Sequence, residues 1–512
     1  MNFNLPAIFR ARRDFSKDMQ ASSALARPER RTVKARYDAA KLSSENAEHW
    51  AMADGLDAAS ANSLAVRRVI RERARYECEN NTYLGGSVDS MARDVVGRGP
   101  RVLFDGEFMT RVAPGSGGKT YGELAERDWE DWSANILLGE KLETAVRAWL
   151  TDGEAWAMPF MRRRFTGNIS LDIRLYETDQ VSTPWGKKCE VDGVVLDDAT
   201  GEVKSYWLLD VHPGAAPEGG MWNRVTSFIG KYTGREIPAD RLWQLYTPKR
   251  AGQLRGVSEV NSALTLCPLH RRYTLATVKA AETAASLSFV LETDTPDEGA
   301  AVIPLMSEMQ IKANSGISTP EGWKAKQFKP EQPTSTFTEF SRELIQASVR
   351  CISVPLSIAL GNSSGYNYAS GRLDHQGYYR AIDVRRDRLE NRIVDPTVGL
   401  FLREFLLTQG MSPDAADAIT WEYTWDGMAH VDPVKDAAAD DINIKNNTDT
   451  MADVCARRGK NWRRVIAQRG KEKKAMETAG LTFNETAAPA PASPNDQPTP
   501  DDDGSEPGNK QK

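Results

Sequence analysis

Five histidines (His49, His212, His270, His375 and His430) and five cysteines (Cys78, Cys189, Cys267, Cys351 and Cys455) are the side chains of this 512-residue sequence best suited to bind a metal or act as base or nucleophile. A metal site on such residues needs them paired, as in HExxH, HxH or CxxC, so that two ligands reach one ion. No such pairing occurs. A serine nucleophile belongs in a GxSxG elbow with a base at hand. Ala359–Gly365 (ALGNSSG) offers a serine pair without one and reads as a polar loop. A phosphate cradle needs GxxxxGK[ST] after a strand. GSGGKT (Gly115–Thr120) is too short, no strand is expected before it, and it reads as a flexible turn. Asp432, Asp436, Asp440 and Asp441 fall along a helix face, where solvation or pairing between subunits is commoner than acid–base work. The enzyme templates fail together, so no catalytic residue, metal or cofactor is expected. One enzymatic alternative stays open, a DNA-processing enzyme such as a metal-dependent nuclease or an integrase-like recombinase. Its carboxylates could come only from Asp192, Asp197 and Asp198, which look like turn residues.

Composition narrows the class further. Apolar residues are 40% of the chain and charged residues 27%, as in ordinary globular proteins. Lys and Arg total 66 against 71 Asp and Glu, a net charge of -5, which excludes a basic nucleic-acid coat as the whole explanation. No apolar run is long enough to span a bilayer and the basic start lacks an apolar core, so neither a membrane span nor a signal peptide is expected. The scattered cysteines read as reduced thiols. Residues 1–45 form a basic arm, and residues 481–512, rich in Pro and Asp without large apolar side chains, are expected to be disordered.

Between these ends, helical and strand-like stretches alternate. Asn62–Tyr83 reads as an amphipathic helix burying Val66, Val69, Ile70 and Ala74, with arginines on the remaining face. A hinge is expected at Gly85–Gly86, then a short helix ending at VVGRGP. Leu124–Leu150 carries a Trp-rich helical pattern, and residues 151–250 alternate apolar and polar residues as half-buried antiparallel strands do. A long helix is expected over Val257–Leu287 with a kink at Pro268, and a second over Ser335–Ile352. Another runs from Arg372 to about Gln409, kinked or split at Pro396, and a last helical block covers Pro433–Gly480 after the strand-like AITWEYTWDG. Two long helices bracketing a compact insertion make a projecting hairpin, an extended architecture.

Several strings, in order, resemble the lambda-type bacteriophage portal proteins. They are RRVIRERARYECENNTYLGGSVDSMARDVVGRG (Arg67–Gly99), PKRAGQLRGVSEV (Pro248–Val260), YNYASGR (Tyr366–Arg372), TWDGMAHVDPVKDAAAD (Thr424–Asp440) and ADVCARRGKNWRRVIAQR (Ala452–Arg469). Two departures stand out: NYASGR replaces the usual serine-rich NYSSxR, its Gly371 loosening the helix start, and NNTDT stands where a glycine and threonine are usual.

The resemblance implies an α+β portal fold. Residues 46–256 and 372–435 would be a wing of antiparallel strands and helices, 257–287 and 335–352 the two stem helices, and 288–334 a small clip insertion. Residues 353–371 would be the tunnel loop and 436–480 a helical crown. It also implies a homo-oligomeric ring, typically of twelve subunits, at one capsid vertex of the virion, made in the bacterial host's cytoplasm. Double-stranded DNA would pass through it non-specifically, packaged by the terminase large subunit and later ejected. Major capsid and scaffolding proteins and a head-completion or tail adaptor would be its other partners.

A channel must touch DNA without gripping it. A dozen copies at -5 carry about -60, which opposes tight binding of phosphates. Asn362, Ser363, Ser364, Tyr366, Asn367 and Tyr368 would offer uncharged contacts to passing DNA, or would pack on a neighbour. Arg271, Arg272 and Lys279 would face the channel or pair between subunits, and the sequence leaves both open. Arg67, Arg68, Arg71, Arg73 and Arg75 read as pairing with acids of the adjacent subunit rather than with nucleic acid.

Overall fold

The computed structural model describes residues 53–163, 167–215, 229–230, 232–286, 290–293, 323–326, 336–365, 368–427 and 433–481. The expectations for the basic arm, most of the 288–334 insertion, Tyr366, Asn367 and all but the first residue of the C-terminal tail fall outside these. The chain divides into two units, Met1–Asp57 and Ala58–Lys512, and every element below belongs to the second.

Two helices open the fold, α1 (Leu64–Asn80) and α2 (Thr82–Val96), followed by β1 (Arg101–Asp105), α3 (Tyr121–Asn135) and α4 (Leu138–Asp152). The strand-rich stretch gives β2 (Glu154–Met161), β3 (Leu171–Tyr176), β4 (Val194–Leu196), β5 (Val203–Leu209), β6 (Gly234–Pro238) and β7 (Trp243–Tyr246). Then come α5 (Leu266–Ser286), β8 (Val290–Thr293), β9 (Trp323–Lys326), α6 (Phe337–Val349), α7 (Leu356–Leu360), α8 (Tyr368–Leu389) and α9 (Asp395–Thr408). Strand β10 (Thr420–Thr424) and helices α10 (Pro433–Lys445), α11 (Met451–Arg457) and α12 (Trp462–Thr478) complete it.

The strands form small antiparallel sheets, ordered β3-β2-β7 and β4-β5-β6, as the alternation over 151–250 predicts. β1 pairs with β10, Leu103 opposite Glu422, so the two ends of the main body close on each other; β8 pairs with β9. The main core gathers around aromatic rings. Trp129 lies 5.0 Å from Trp132 and 5.1 Å from Phe401, centroid to centroid. Each indole N–H in this core finds an acceptor: Trp129 the Pro100 carbonyl (3.0 Å), Trp132 the Leu171 carbonyl (2.8 Å) and Trp149 the Thr247 hydroxyl (3.1 Å).

Four local expectations are corrected. In α1 the valines do not face inward: Val66 and Val69 are exposed, whereas Arg67, Arg71, Ala74 and Glu77 are buried. Acids from later in the chain meet those arginines, so the charged face is the inner one. No hinge occurs at Gly85–Gly86; both lie inside α2. The break falls at Asn81, whose side chain accepts the Tyr83 and Leu84 N–H groups. A Cβ on Gly85 would stand 2.1 Å from the Cys78 carbonyl oxygen, so glycine is there to let two helices approach. The long helix starts at Leu266 instead of Val257, which puts Pro268 in its first turn, where a missing N–H leaves no bond unmade and no kink results. GSGGKT does follow a strand, β1, but it is a turn whose Thr120 caps α3 in a capping box with Glu123. At Pro396, where a kink or split is expected, α-helical bonding gives way to a π-helical stretch, Glu390–Val394, between α8 and α9.

The Trp-rich pattern is two helices because Leu137 turns left-handed (φ 55°) between α3 and α4 while its side chain is 55% exposed. An L-residue there costs roughly 1–2 kcal/mol, less what glycine adds to unfolded-chain entropy. Leu137→Gly is therefore expected to stabilise the protein by about 0.5–1 kcal/mol, read as a small rise in melting temperature. A fall would mean that Leu137 makes a contact worth more than its strain.

Candidate functional site

The body is organised around a buried ion cluster. Glu154 begins β2 and has no solvent exposure; Arg255, at 2%, donates from Nε to Glu154 Oε1 at 2.9 Å and from Nη1 to the Val181 carbonyl at 2.9 Å. Gln244 Nε2 at 2.8 Å and the Gly256 N–H at 3.0 Å also donate to Glu154, and Arg67 places Nη1 3.5 Å from it and Nη2 3.1 Å from Asp192. Burial alone would raise the Glu154 pKa, but Arg255, Arg67 and the Gly256 N–H outweigh it and hold the carboxyl at about 2. Burial, with Arg255 close by, brings Arg67 down to about 10.

This gives PKRAGQLRGVSEV a mechanical role. Gln253 accepts the Lys249 and Arg250 N–H groups and donates to the Arg255 carbonyl, fixing the turn. The Glu259 N–H bonds the Leu150 carbonyl at 3.0 Å, and its carboxylate meets Arg385 of α8 at 2.7 Å. The segment thus ties β2, α4 and α8 together immediately before α5 begins.

Arg67, Arg71 and Arg75 of α1 meet acids of their own chain. Arg71 meets Asp179 at 2.6 Å; Arg75 meets Asp152 at 2.6 Å and Asp179 at 2.9 Å; Arg68 makes an exposed pair with Glu72 on its own helix. Arg73 is exposed. Sequence reading missed the neighbouring group Glu177, Asp179 and His212, whose ligand atoms lie within 4.8 Å of one another, the one such His/carboxylate group among the described residues. Arg71 and Arg75 already neutralise its acids, so a cation has little reason to bind. Only tertiary folding brings His212 to these acids, and no local spacing signals it.

Two of the three carboxylates of the nuclease alternative, Asp192 and Asp197, are engaged in structure, and Asp198 is exposed. Asp192 accepts from Arg67, Ser182 and the Thr183 N–H, and Asp197 accepts the Ala199 and Thr200 N–H groups as a turn does. On α10, Asp440 and Asp436 meet Arg458 at 2.5 and 3.5 Å, and Asp440 also meets Arg457 at 3.1 Å, so this acidic face is answered within the chain.

The described residues of 353–371 include helical turns. Pro355 starts α7, Gly361 ends it in the left-handed region, and residues 368–371 already belong to α8, so Gly371 lies within the helix. Between them Asn362, Ser363 and Ser364 are exposed, with the Ser364 N–H donating to Asn362 Oδ1 at 2.9 Å. Tyr366 and Asn367 fall outside the described residues, and Tyr368 is the first residue of α8.

Helices α5 and α6 run antiparallel. His270 bonds Ser341 at 2.8 Å, and Tyr273 stacks on Phe337 with centroids 5.5 Å apart. Arg271 pairs with Glu77 of α1 and lies over the Tyr76 ring. Arg272 and Lys279 are exposed. Among the described residues no helix is long and apolar enough to cross a membrane.

Comparison with known proteins adds the following. The family model described as phage portal protein, lambda family, matches residues 47–386. A probable portal protein of Halomonas phage phiHAP-1 is 22% identical over 448 residues, 80% of this chain and 81% of that one. Among solved structures, the neck of a native GTA particle computed with C12 symmetry is similar at 12% identity and a TM-score of 0.40, over 81% of this chain and 98% of the other. An HK97-family phage portal protein from Corynebacterium diphtheriae is similar at 12% identity and a TM-score of 0.25, over 67% and 93%.

Proposed function

This chain belongs to the lambda family of phage portal proteins, a structural and non-enzymatic family, and from that premise we propose that about a dozen copies close into a ring around a passage for double-stranded DNA. In this reading the ring sits at a capsid vertex of the virion. The terminase large subunit drives DNA inward through it, and a head-completion or tail adaptor, capsid and scaffolding proteins dock on it. The sheets and α1–α4, with α8 and α9, form the wing. Helices α5 and α6 form the stem, the segment between them the clip, and α10–α12 the crown.

The observation that carries this reading is the α5–α6 hairpin leading through α7 into Asn362–Ser364, which is exposed and without formal charge. A surface meant to let phosphates slide past should avoid releasing counterions, because each neutralised phosphate steepens binding by about 0.9 in log–log salt slope. An uncharged hydrogen-bonding loop meets that need. The ion cluster ties together the scaffold that leads into α5.

Electron microscopy of the purified protein tests the proposal, and the expected result is rings with a central opening wide enough for a duplex. A monomer at every concentration, cutting DNA with Mg²⁺, would overturn it.

A further inference from the structure

The α5–α6 hairpin has two unlike outer sides. With 100° per residue, and with His270 and Tyr273 of α5 turned toward Ser341 and Phe337 of α6, Arg272 and Leu275 lie on the side of α5 away from α6. By the same geometry Glu339 and Glu343 lie on the side of α6 away from α5. All four are exposed, Leu275 by 53%. Among the described residues Arg272, Glu339 and Glu343 form no ion pair, unlike Arg271 beside them, which is held by Glu77. The antiparallel contacts also set heights along the hairpin: residue 270 is level with 341 and residue 273 with 337, which places Arg272 level with Glu339.

We infer that this hairpin is a subunit seam, in which the cationic side of α5 on one copy, with its exposed Leu275, packs on the acidic side of α6 on the next, Arg272 against Glu339 and Glu343. The inference rests on the ring reading and adds the partner and the contact. Opposite charges on opposite sides of one element cannot satisfy each other within a copy. A second copy displaced sideways satisfies both, and repetition about an axis along the hairpin keeps the heights matched. Such a contact is head-to-tail, the type that closes into rings, and not the self-complementary type of a two-fold dimer. The half-exposed Leu275 supplies apolar area that the charges orient.

The test uses two full-length variants, Arg272→Glu and the pair Glu339→Arg with Glu343→Arg, with assembly followed by sedimentation and electron microscopy. Each variant alone places like charges across every seam. Each should shift the concentration for half-assembly upward by at least about tenfold at low salt. Mixed one to one, the variants can alternate around a ring with every seam again complementary, so rings should reappear, as they should in the triple variant carrying all three changes. Recovery on mixing also excludes misfolding as the cause of the single losses. Single variants that assemble like the wild type, or singles that fail and stay failed on mixing, would overturn the seam. A wild-type chain that forms no rings would instead overturn the ring reading itself.

Discussion

Replacing Glu154 by glutamine is expected to destabilise the protein by on the order of 3–5 kcal/mol, the cost of removing one partner from a buried ion cluster. Arg255 and Arg67 are almost wholly buried and both lean on this carboxylate, so the variant leaves two guanidinium charges to share Asp192 alone. The wild type should also be acid-sensitive for the same reason. Glu154 is held at about 2 in the folded chain against an ordinary 4.5. A depressed pKa stabilises the fold fully above about 4.5, and that contribution, on the order of 3 kcal/mol, is lost as pH falls toward 2. Glutamine has no such dependence. The gap in melting temperature between wild type and Glu154→Gln, measured at one protein concentration, should therefore be widest at pH 7 and narrow steadily below pH 5. The exposed pair Arg68–Glu72 provides the contrast, since Arg68→Gln should move stability by less than about 0.5 kcal/mol. A gap that stays constant from pH 7 to pH 3 would show that Glu154 is not the charged centre of the cluster.

The same cluster explains why part of this fold was readable in the sequence and part was not. Strands β3, β5 and β7 announce themselves through alternation, and the hairpin through two helical stretches around a Gly- and Pro-rich insertion. The orientation of α1 could not be read. Periodicity assumes that apolar residues face inward, and here Arg67 and Arg71 do, because Asp192, Glu154 and Asp179 arrive from about 90 or more residues away to meet them. Long-range pairing of that kind leaves no local trace. Gly85 misleads in a related way: its spacing cannot tell a hinge from a close approach, and only the position of the Cys78 carbonyl decides. Pro268 is read correctly as incompatible with a helix interior, yet it marks the start of α5 and not a bend within it. Ordered motifs shared with a family located PKRAGQLRGVSEV without revealing that Arg255 and Gln253 hold the scaffold.

Placing lysines at both Ser363 and Ser364 is expected to slow DNA packaging by at least about tenfold at low salt while leaving rings intact. The two serines are exposed on the short turn between α7 and α8, and among the described residues neither side chain makes a hydrogen bond, so the substitution should not disturb the fold. In a ring of about a dozen copies it adds roughly two dozen cations around the passage. If only six to ten of them met phosphates, affinity would change by about 10³–10⁵ between 50 and 200 mM salt. Retention on that scale turns a sliding contact into a grip. The dependence on salt separates this cause from simple narrowing of the passage. Packaging by the double-lysine protein should recover as salt rises, whereas glutamines at the same positions, of similar bulk without charge, should package normally at every salt. Equal impairment by glutamine would point to steric blockage. Unimpaired packaging by the lysine variant at low salt would place Asn362–Ser364 away from the DNA path and return the loop to a packing role between subunits.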